Sequence, residues 1–170
     1  EALASGEKVR VLASGAEAVA SARAALPAHV DVLDIPFGDI WLRDTGPIFA
    51  ESEENGRVAI GFRFNGWGGK YELEHDDTVA AQIAKASGAE LVANDFILEG
   101  GAVDHDGAGT VLTTGQCLLN RNRNPGLSMR TAEDWLYRDL GFDRVLWLGD
   151  GLVNDHTDGH VDNLARFIAP

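Results

Sequence analysis

The 170-residue sequence is poor in several things at once, and each shortage excludes something. It holds a single cysteine, Cys117, which rules out an internal disulfide framework and leads us to expect a reducing, cytoplasmic setting. Basic residues are scarce: 14 Lys and Arg stand against 27 Asp and Glu, a formal net charge of −13. Binding a phosphate backbone needs clustered cations, so no nucleic-acid partner is expected. An acidic surface favours a small cationic ligand instead, by raising its local concentration. No apolar run approaches the roughly 20 residues that span a bilayer, so no membrane partner is expected. No basic-then-apolar leader is visible, which leaves targeting undecided. GxGxxG and P-loop patterns are missing, and with them any reason to assign phosphate binding. HExxH and CxxC spacings are missing too, so neither metal nor cofactor is expected. There is no low-complexity tract, no linker and no clean fixed-period repeat.

What is present is an ordinary globular balance, 45% apolar and 24% charged, at the length of one domain or part of one. Residues 8–13 (KVRVLA) read as a strand. Ser14 caps an alanine-rich helix over 15–26 that ends before Pro27, and 30–35 (VDVLDI) alternates as a second strand. Strand–helix–strand opens an α/β architecture. Residues 47–51 and 57–64 flank Asn55-Gly56, the strongest short hairpin signal. The glycine-rich 65–69 reads as a loop where backbone approaches a ligand or another segment. A helix over 74–87 stops at Gly88, and 90–93 and 96–98 are short strands. Residues 103–109 read as a turn, 110–119 as a β-rich run and 120–125 as a basic loop. A last helix starts at Thr131 with an acidic first turn and stops at Gly141, before a strand over 144–148. A helix recurring about every 60 residues among strands and hairpins is compatible with ββαβ modules.

Three places carry candidate chemistry. Asp39, Trp41, Arg43 and Asp44 fall within six residues of a loop that follows a strand. A carboxylate beside an aromatic plane suits a planar cation; the alternative is a turn tidied by an Arg43–Asp44 pair. Glu99 interrupts an apolar run and needs a partner or a shifted pKa, and His160 is a natural partner. The stretch 151–163 (GLVNDHTDGHVDN) packs Asp155, His156, Asp158, His160 and Asp162 into eight positions. It reads as a turn feeding a strand over 164–168, which would point His160 and Asp162 the same way, as a general base with a charge partner. A solvated polar loop is one alternative. A metal-dependent hydrolase using zinc, manganese or iron is another. Cys117, flanked by apolar residues, reads as a buried packing thiol rather than a nucleophile.

Five segments in one order add a resemblance. Trp41-Leu-Arg-Asp-Thr-Gly-Pro47, Phe64-Asn-Gly-Trp-Gly-Gly69, Leu98-Glu-Gly-Gly101, Thr113-Thr-Gly-Gln-Cys-Leu-Leu-Asn-Arg-Asn-Arg-Asn-Pro125 and Gly159-His-Val-Asp-Asn163 resemble the agmatine deiminase family. That family is grouped with the bacterial-type peptidylarginine deiminases in the guanidino-group-modifying superfamily. The resemblance implies a partial α/β-propeller (pentein) of ββαβ modules around a central active site, about three of five present. Residues 1–170 would then be the N-terminal portion of a single deiminase catalytic domain whose C-terminal portion is absent from this chain.

Carried over by position, the resemblance gives Asp44 and Asp162 the grip on the substrate guanidinium and His160 the role of general acid/base. Glu99 would orient or charge-balance His160, Trp41 would be a pocket wall, and Asp39 would join the substrate-binding set. A cysteine thiolate attacks the guanidinium carbon in this chemistry. The resemblance places that cysteine beyond residue 170, and Cys117 matches a different position, so these residues alone are expected to be inactive. The implied reaction converts agmatine to N-carbamoylputrescine and ammonia, a step of putrescine synthesis. Peptidylarginine as substrate and a non-catalytic guanidino-binding module are the alternatives, and a homo-oligomer is left open.

Overall fold

A computed structural model describes residues 3–54 and 56–169, and builds them as three small sheets in chain order. Strands β1 (Arg10–Ala13) and β2 (Asp31–Asp34) pair in parallel across helix α1 (Ala16–Ala25). Strands β3 (Ile48–Ser52) and β4 (Gly56–Arg63) form an antiparallel hairpin. Helix α2 (Val79–Ser87) then returns the chain to β5 (Glu90–Ile97), parallel to β4. The pattern repeats with β6 (Val103–His105), β7 (Thr110–Thr114), helix α3 (Met129–Leu140) and β8 (Arg144–Leu148). Two complete ββαβ units thus follow one βαβ unit. The second and third units start their strands at 48, 56 and 90 and at 103, 110 and 144, an offset of 54 or 55 residues. The repeat lives in the frame, while the loops between strands differ.

Local chemistry explains most boundaries. Ser52 faces Gly56 across the first hairpin, and Gly56 takes a left-handed φ of 67°. Asn55 of the expected turn lies outside the described residues. The second hairpin closes on Asp106, whose Oδ1 accepts from the backbone N–H of Ala108 and Thr110 at 2.8 and 2.9 Å. Gly88 and Gly141 end their helices in the left-handed region, as glycine permits.

Several boundaries depart from the expectation. Gly15, not Ser14, caps α1, and its N–H donates to Asp34 Oδ1 at 2.9 Å, tying the helix start to β2. Helix α3 starts at Met129, because Ser128 Oγ accepts from Thr131 N at 3.1 Å and caps it earlier. The two short strands after Gly88 are one strand, β5, which absorbs a register shift opposite Gly61 and Arg63. The supposed turn at 103–109 contains β6. No strand forms over 164–168: the segment has no ladder partner among the described residues, and Phe167 N donates instead to Asp104 Oδ2 at 2.8 Å.

The main core lies where the second and third units meet. Val103, Val111, Cys117, Leu118 and Leu136 are all at most 2% exposed there. The Phe96 ring sits 4.9 Å from Phe62 and 4.6 Å from Trp135, centroid to centroid. Burial of each large apolar side chain contributes about 1.5–3 kcal/mol. This packing fixes β5 and β6 against one another, and with them the turn that joins them.

Candidate active site

Three short helical turns build the site. Leu42–Thr45 leads into β3, Gly100–Ala102 leads into β6 behind Glu99, and Val161–Asn163 follows His160. The three converge on Gly101. A Cβ there would stand 2.5 Å from Asp44 Oδ1, 2.5 Å from His160 Nδ1 and 2.9 Å from Asp162 Oδ2. A Cβ on Gly100 would meet the Arg43 carbonyl oxygen at 2.1 Å. The glycine pair is therefore a matter of space: it lets one turn press against two others and brings their side chains together.

Asp44 is nearly buried, at 9% exposure. Its Oδ1 accepts from Gly101 N at 2.9 Å and its Oδ2 from the Trp67 indole N–H at 3.0 Å. Burial raises its pKa, against the pull of those two donors. Trp67 reaches it from the glycine-rich loop through a left-handed backbone, φ 55°, with its ring edge-on to Phe64 and Tyr71. Arg43 does not pair with its neighbour Asp44; its guanidinium donates to the Val103 carbonyl at 3.2 Å, across to the next unit. Asp162 is half-buried, and burial raises its pKa as well.

His160 is 1% exposed. The expected strand geometry is absent, yet His160 and Asp162 still meet, because the short 3-10 turn brings both to Gly101. The His160 N–H donates to Thr157 Oγ1 at 3.0 Å, and the Gly159 carbonyl accepts from Thr114 Oγ1 at 2.6 Å. Nδ1 lies 3.5 Å from Asp44 Oδ1, while Nε2 is buried without a partner among the described residues. Burial, and then the charge of Arg123, lowers its pKa from 6.5 to about 4. The ring is thus neutral near pH 7.

Glu99 does not have the partner expected for it. Arg123 Nε donates to its Oε1 at 2.8 Å, and the two side chains are each 1% exposed. Burial raises the Glu99 pKa, and the guanidinium opposes that shift. Arg123 comes from the segment read as a basic loop. Asn124 explains the difference: its side chain accepts from Ile97 N at 3.0 Å and donates to Ile97 O at 2.8 Å, so the loop is stitched to the end of β5 with Arg123 turned inward. The asparagines alternating with arginine were the available signal.

Ligand atoms of Glu99, Cys117 and His160 lie within 4.8 Å of one another. The set does not suit a metal ion: Arg123 already holds the Glu99 carboxylate, and burial pushes the Cys117 thiol up, away from the thiolate. The 155–162 acids do not form a metal cluster among the described residues either. Asp155 accepts from Thr157 and Gly159, while Asp158 pairs with Lys70, Asn122 and Arg123.

Above Asp44, Asp162 and His160 opens a cavity of about 420 Å³. Trp41, 57% exposed, forms one wall, and Asp39 also lines it. Asp39 is anchored through its backbone N–H, which donates to the buried Asp76 at 3.1 Å. Tyr71, which the sequence did not single out, forms another wall with His156, its Oη 2.5 Å from His156 Nδ1 and the rings within 6° of parallel. Four aspartates line the cavity, and no Lys or Arg does among the described residues. Such a site holds a flat cation by its edges and presents a neutral imidazole beside it.

Comparison with known proteins gives this geometry a family. The family model described as Porphyromonas-type peptidyl-arginine deiminase matches residues 1–170. The agmatine deiminase of Stutzerimonas stutzeri is 43% identical over an alignment of 177 residues that covers all of this chain and 48% of the relative. The solved agmatine deiminase of Enterococcus faecalis superposes with a TM-score of 0.92 at 38% identity, over 99% of this chain and 48% of its own. The C. jejuni agmatine deiminase gives 0.82 at 33% identity, over 99% and 50%. The chain spans about half the length of these relatives, and over that half it has their α/β fold, the partial propeller expected from the sequence. It belongs to the Porphyromonas-type peptidyl-arginine deiminase family.

Proposed function

We propose that the protein hydrolyses the guanidinium group of agmatine to N-carbamoylputrescine and ammonia, with residues 1–170 as the N-terminal portion of one catalytic domain. The observation that carries this reading is the convergence of Asp44, Asp162 and neutral His160 at Gly101, beneath an acid-lined cavity. Asp44 and Asp162 grip the guanidinium N–H groups and leave its central carbon open. A cysteine from outside residues 1–170 gives its thiol proton to His160 as its sulfur attacks that carbon. His160 delivers a proton to the leaving nitrogen, ammonia departs, and a thiouronium adduct remains. Water then adds to the adduct with His160 taking its proton, and collapse frees the carbamoyl product and the thiolate. Cys117 has no part in this, being fully buried within the core.

The lining favours agmatine over arginine. An α-carboxylate would find no cation among the described lining residues, whereas a terminal ammonium meets the carboxylate of Asp39. The same acidity, −13 overall, supports a small cationic partner and no nucleic acid. We place the protein in the cytoplasm, in putrescine synthesis, on the product of this reaction and the single cysteine; no helix among the described residues is long and apolar enough to cross a membrane. Ammonia release by the full-length protein from agmatine, arginine and an arginine peptide tests the substrate. Agmatine should give the highest kcat/KM, and a clear preference for the peptide would overturn the choice. Binding of agmatine without ammonia release would make the protein a guanidino-binding module instead. Residues 1–170 alone should release no ammonia.

A further inference from the structure

Arg123 is the buried ionic group that the proposed reaction leaves without a task. Desolvating a guanidinium is costly unless its N–H groups are used, yet Arg123 is only 3% exposed. Its donors face two sides of the site. Nε donates to Glu99 Oε1 at 2.8 Å, on the turn before β6. Nη1 pairs with Asp158 and donates to Asn122 Oδ1 at 3.0 Å, and Nη2 donates to the Thr157 carbonyl at 2.9 Å. Thr157 is also the residue whose hydroxyl accepts the His160 N–H. The loop takes left-handed backbone at Asn154 and Asp158, φ 63° and 62°, and is fastened within itself by Asp155 and from outside by Arg123.

We propose that Arg123 is a positioning residue whose fork holds Glu99 and the 157–160 loop in one register and so aims His160 at the leaving nitrogen. The proposal rests on the deiminase reading. A lysine cannot replace the fork, since one ammonium on a flexible stem cannot satisfy Glu99, Asp158 and the Thr157 carbonyl together. His160 is surrounded by Asp44 and Asp162 at Gly101, by Glu99 and Cys117 beneath, by Asp155 and Asp158 on its own loop, and by Arg123 and Lys70. Arg123 and Lys70 oppose its protonation, while Asp155 and Asp158 favour it.

The test compares full-length protein with its Arg123→Lys and Arg123→Met variants, measuring kcat and KM for agmatine and the NMR titration of the His160 ring. Arg123→Lys should lower kcat about 10- to 100-fold per folded molecule with KM within about threefold, since Arg123 makes no hydrogen bond to Asp44 or Asp162. Arg123→Met should raise the His160 midpoint above about 4. Wild-type kcat per folded molecule in Arg123→Lys, or an unmoved midpoint in Arg123→Met, would overturn the proposal. Should Arg123→Met fail to fold, the kcat and KM of Arg123→Lys decide it. Should the wild-type protein release no ammonia from any guanidino compound, the deiminase reading fails by itself, and the His160 titration still reports whether Arg123 acts on that ring.

Discussion

The unit of β3–β5 and the unit of β6–β8 set a carboxylate at the same point of the frame and then treat it in opposite ways. Asp44 stands four residues before Ile48, and Glu99 stands four before Val103. In each unit the segment after the second strand sends a donor back to that carboxylate: Trp67 in one, Arg123 in the other. The indole is neutral, and Asp44 lines the open cavity with no Lys or Arg paired to it among the described residues. The guanidinium is charged, and Glu99 is closed beneath the site with its charge balanced. One repeat has thus yielded a carboxylate that faces an open cavity and another that is paired with a buried guanidinium.

That difference makes its strongest mark on stability. Glu99→Gln removes one partner of a buried ion pair and leaves Arg123 only Asp158 as a carboxylate, at a cost of about 3 kcal/mol, the low end for a broken buried pair. Denaturant melts of the full-length protein at pH 7 measure it. Asp44→Asn removes no cation's partner and loses one of two acceptors, and its melt should shift by only about 1–2 kcal/mol. Its loss falls on activity, about 10²- to 10³-fold in kcat/KM for agmatine, because the charge that meets the guanidinium is gone. The opposite pattern, a fragile Asp44→Asn and a robust Glu99→Gln, would mean that the two carboxylates had been assigned to each other's roles.

Acid separates His160 from the carboxylates around it. Its folded pKa of about 4 lies below the 6.5 of an ordinary imidazole, so as pH falls the unfolded chain takes the proton first. The stability that its burial as a neutral ring supports is complete above about pH 6.5 and is lost toward pH 4, at most about 3 kcal/mol. Asp44, Asp162 and Glu99 have the opposite sign. Burial raises them, the folded state protonates before the unfolded one, and stability falls as pH rises through their folded values. His160→Asn removes only the first contribution. The variant should therefore lose less stability between pH 6.5 and 4 than the parent does, as read by melts across that range. Equal losses would show that His160 is not held neutral.

The sequence carried the frame well because the frame is local. Alternation in 30–35, the glycine stops at 88 and 141, and the hairpin around Gly56 depend on neighbours a few residues away, and all appear in the fold. Asp39, Trp41, Asp44, His160 and Asp162 were also picked out, and all five line one cavity. The partner of Glu99 was not legible. A basic run full of asparagine reads only as a loop until Asn124 is seen to bond Ile97, 27 residues away. Tyr71 escaped for the same reason, since it forms a wall with His156 only when segments 85 residues apart meet. The strand expected over 164–168 failed on the same principle in reverse: an apolar run becomes a strand only where a ladder awaits it.

The finest probe of the contrast is Trp67→Phe, which leaves Asp44 in place and removes only its neutral donor. Phenylalanine keeps a ring against Phe64, 4.8 Å away, and against Tyr71, 6.1 Å away, so stability should fall by no more than about 1–2 kcal/mol. The indole N–H helps hold the Asp44 pKa down against burial. Without it the carboxyl protonates at higher pH, so the acid limb of kcat/KM for agmatine should move upward. At neutral pH the loss should be about tenfold, the worth of one hydrogen bond to a charged group. A variant with an unmoved acid limb would show that Asp44 is held ionised by Gly101 alone. Trp67 would then be a packing residue, and the likeness between its unit and that of Arg123 would end at the frame.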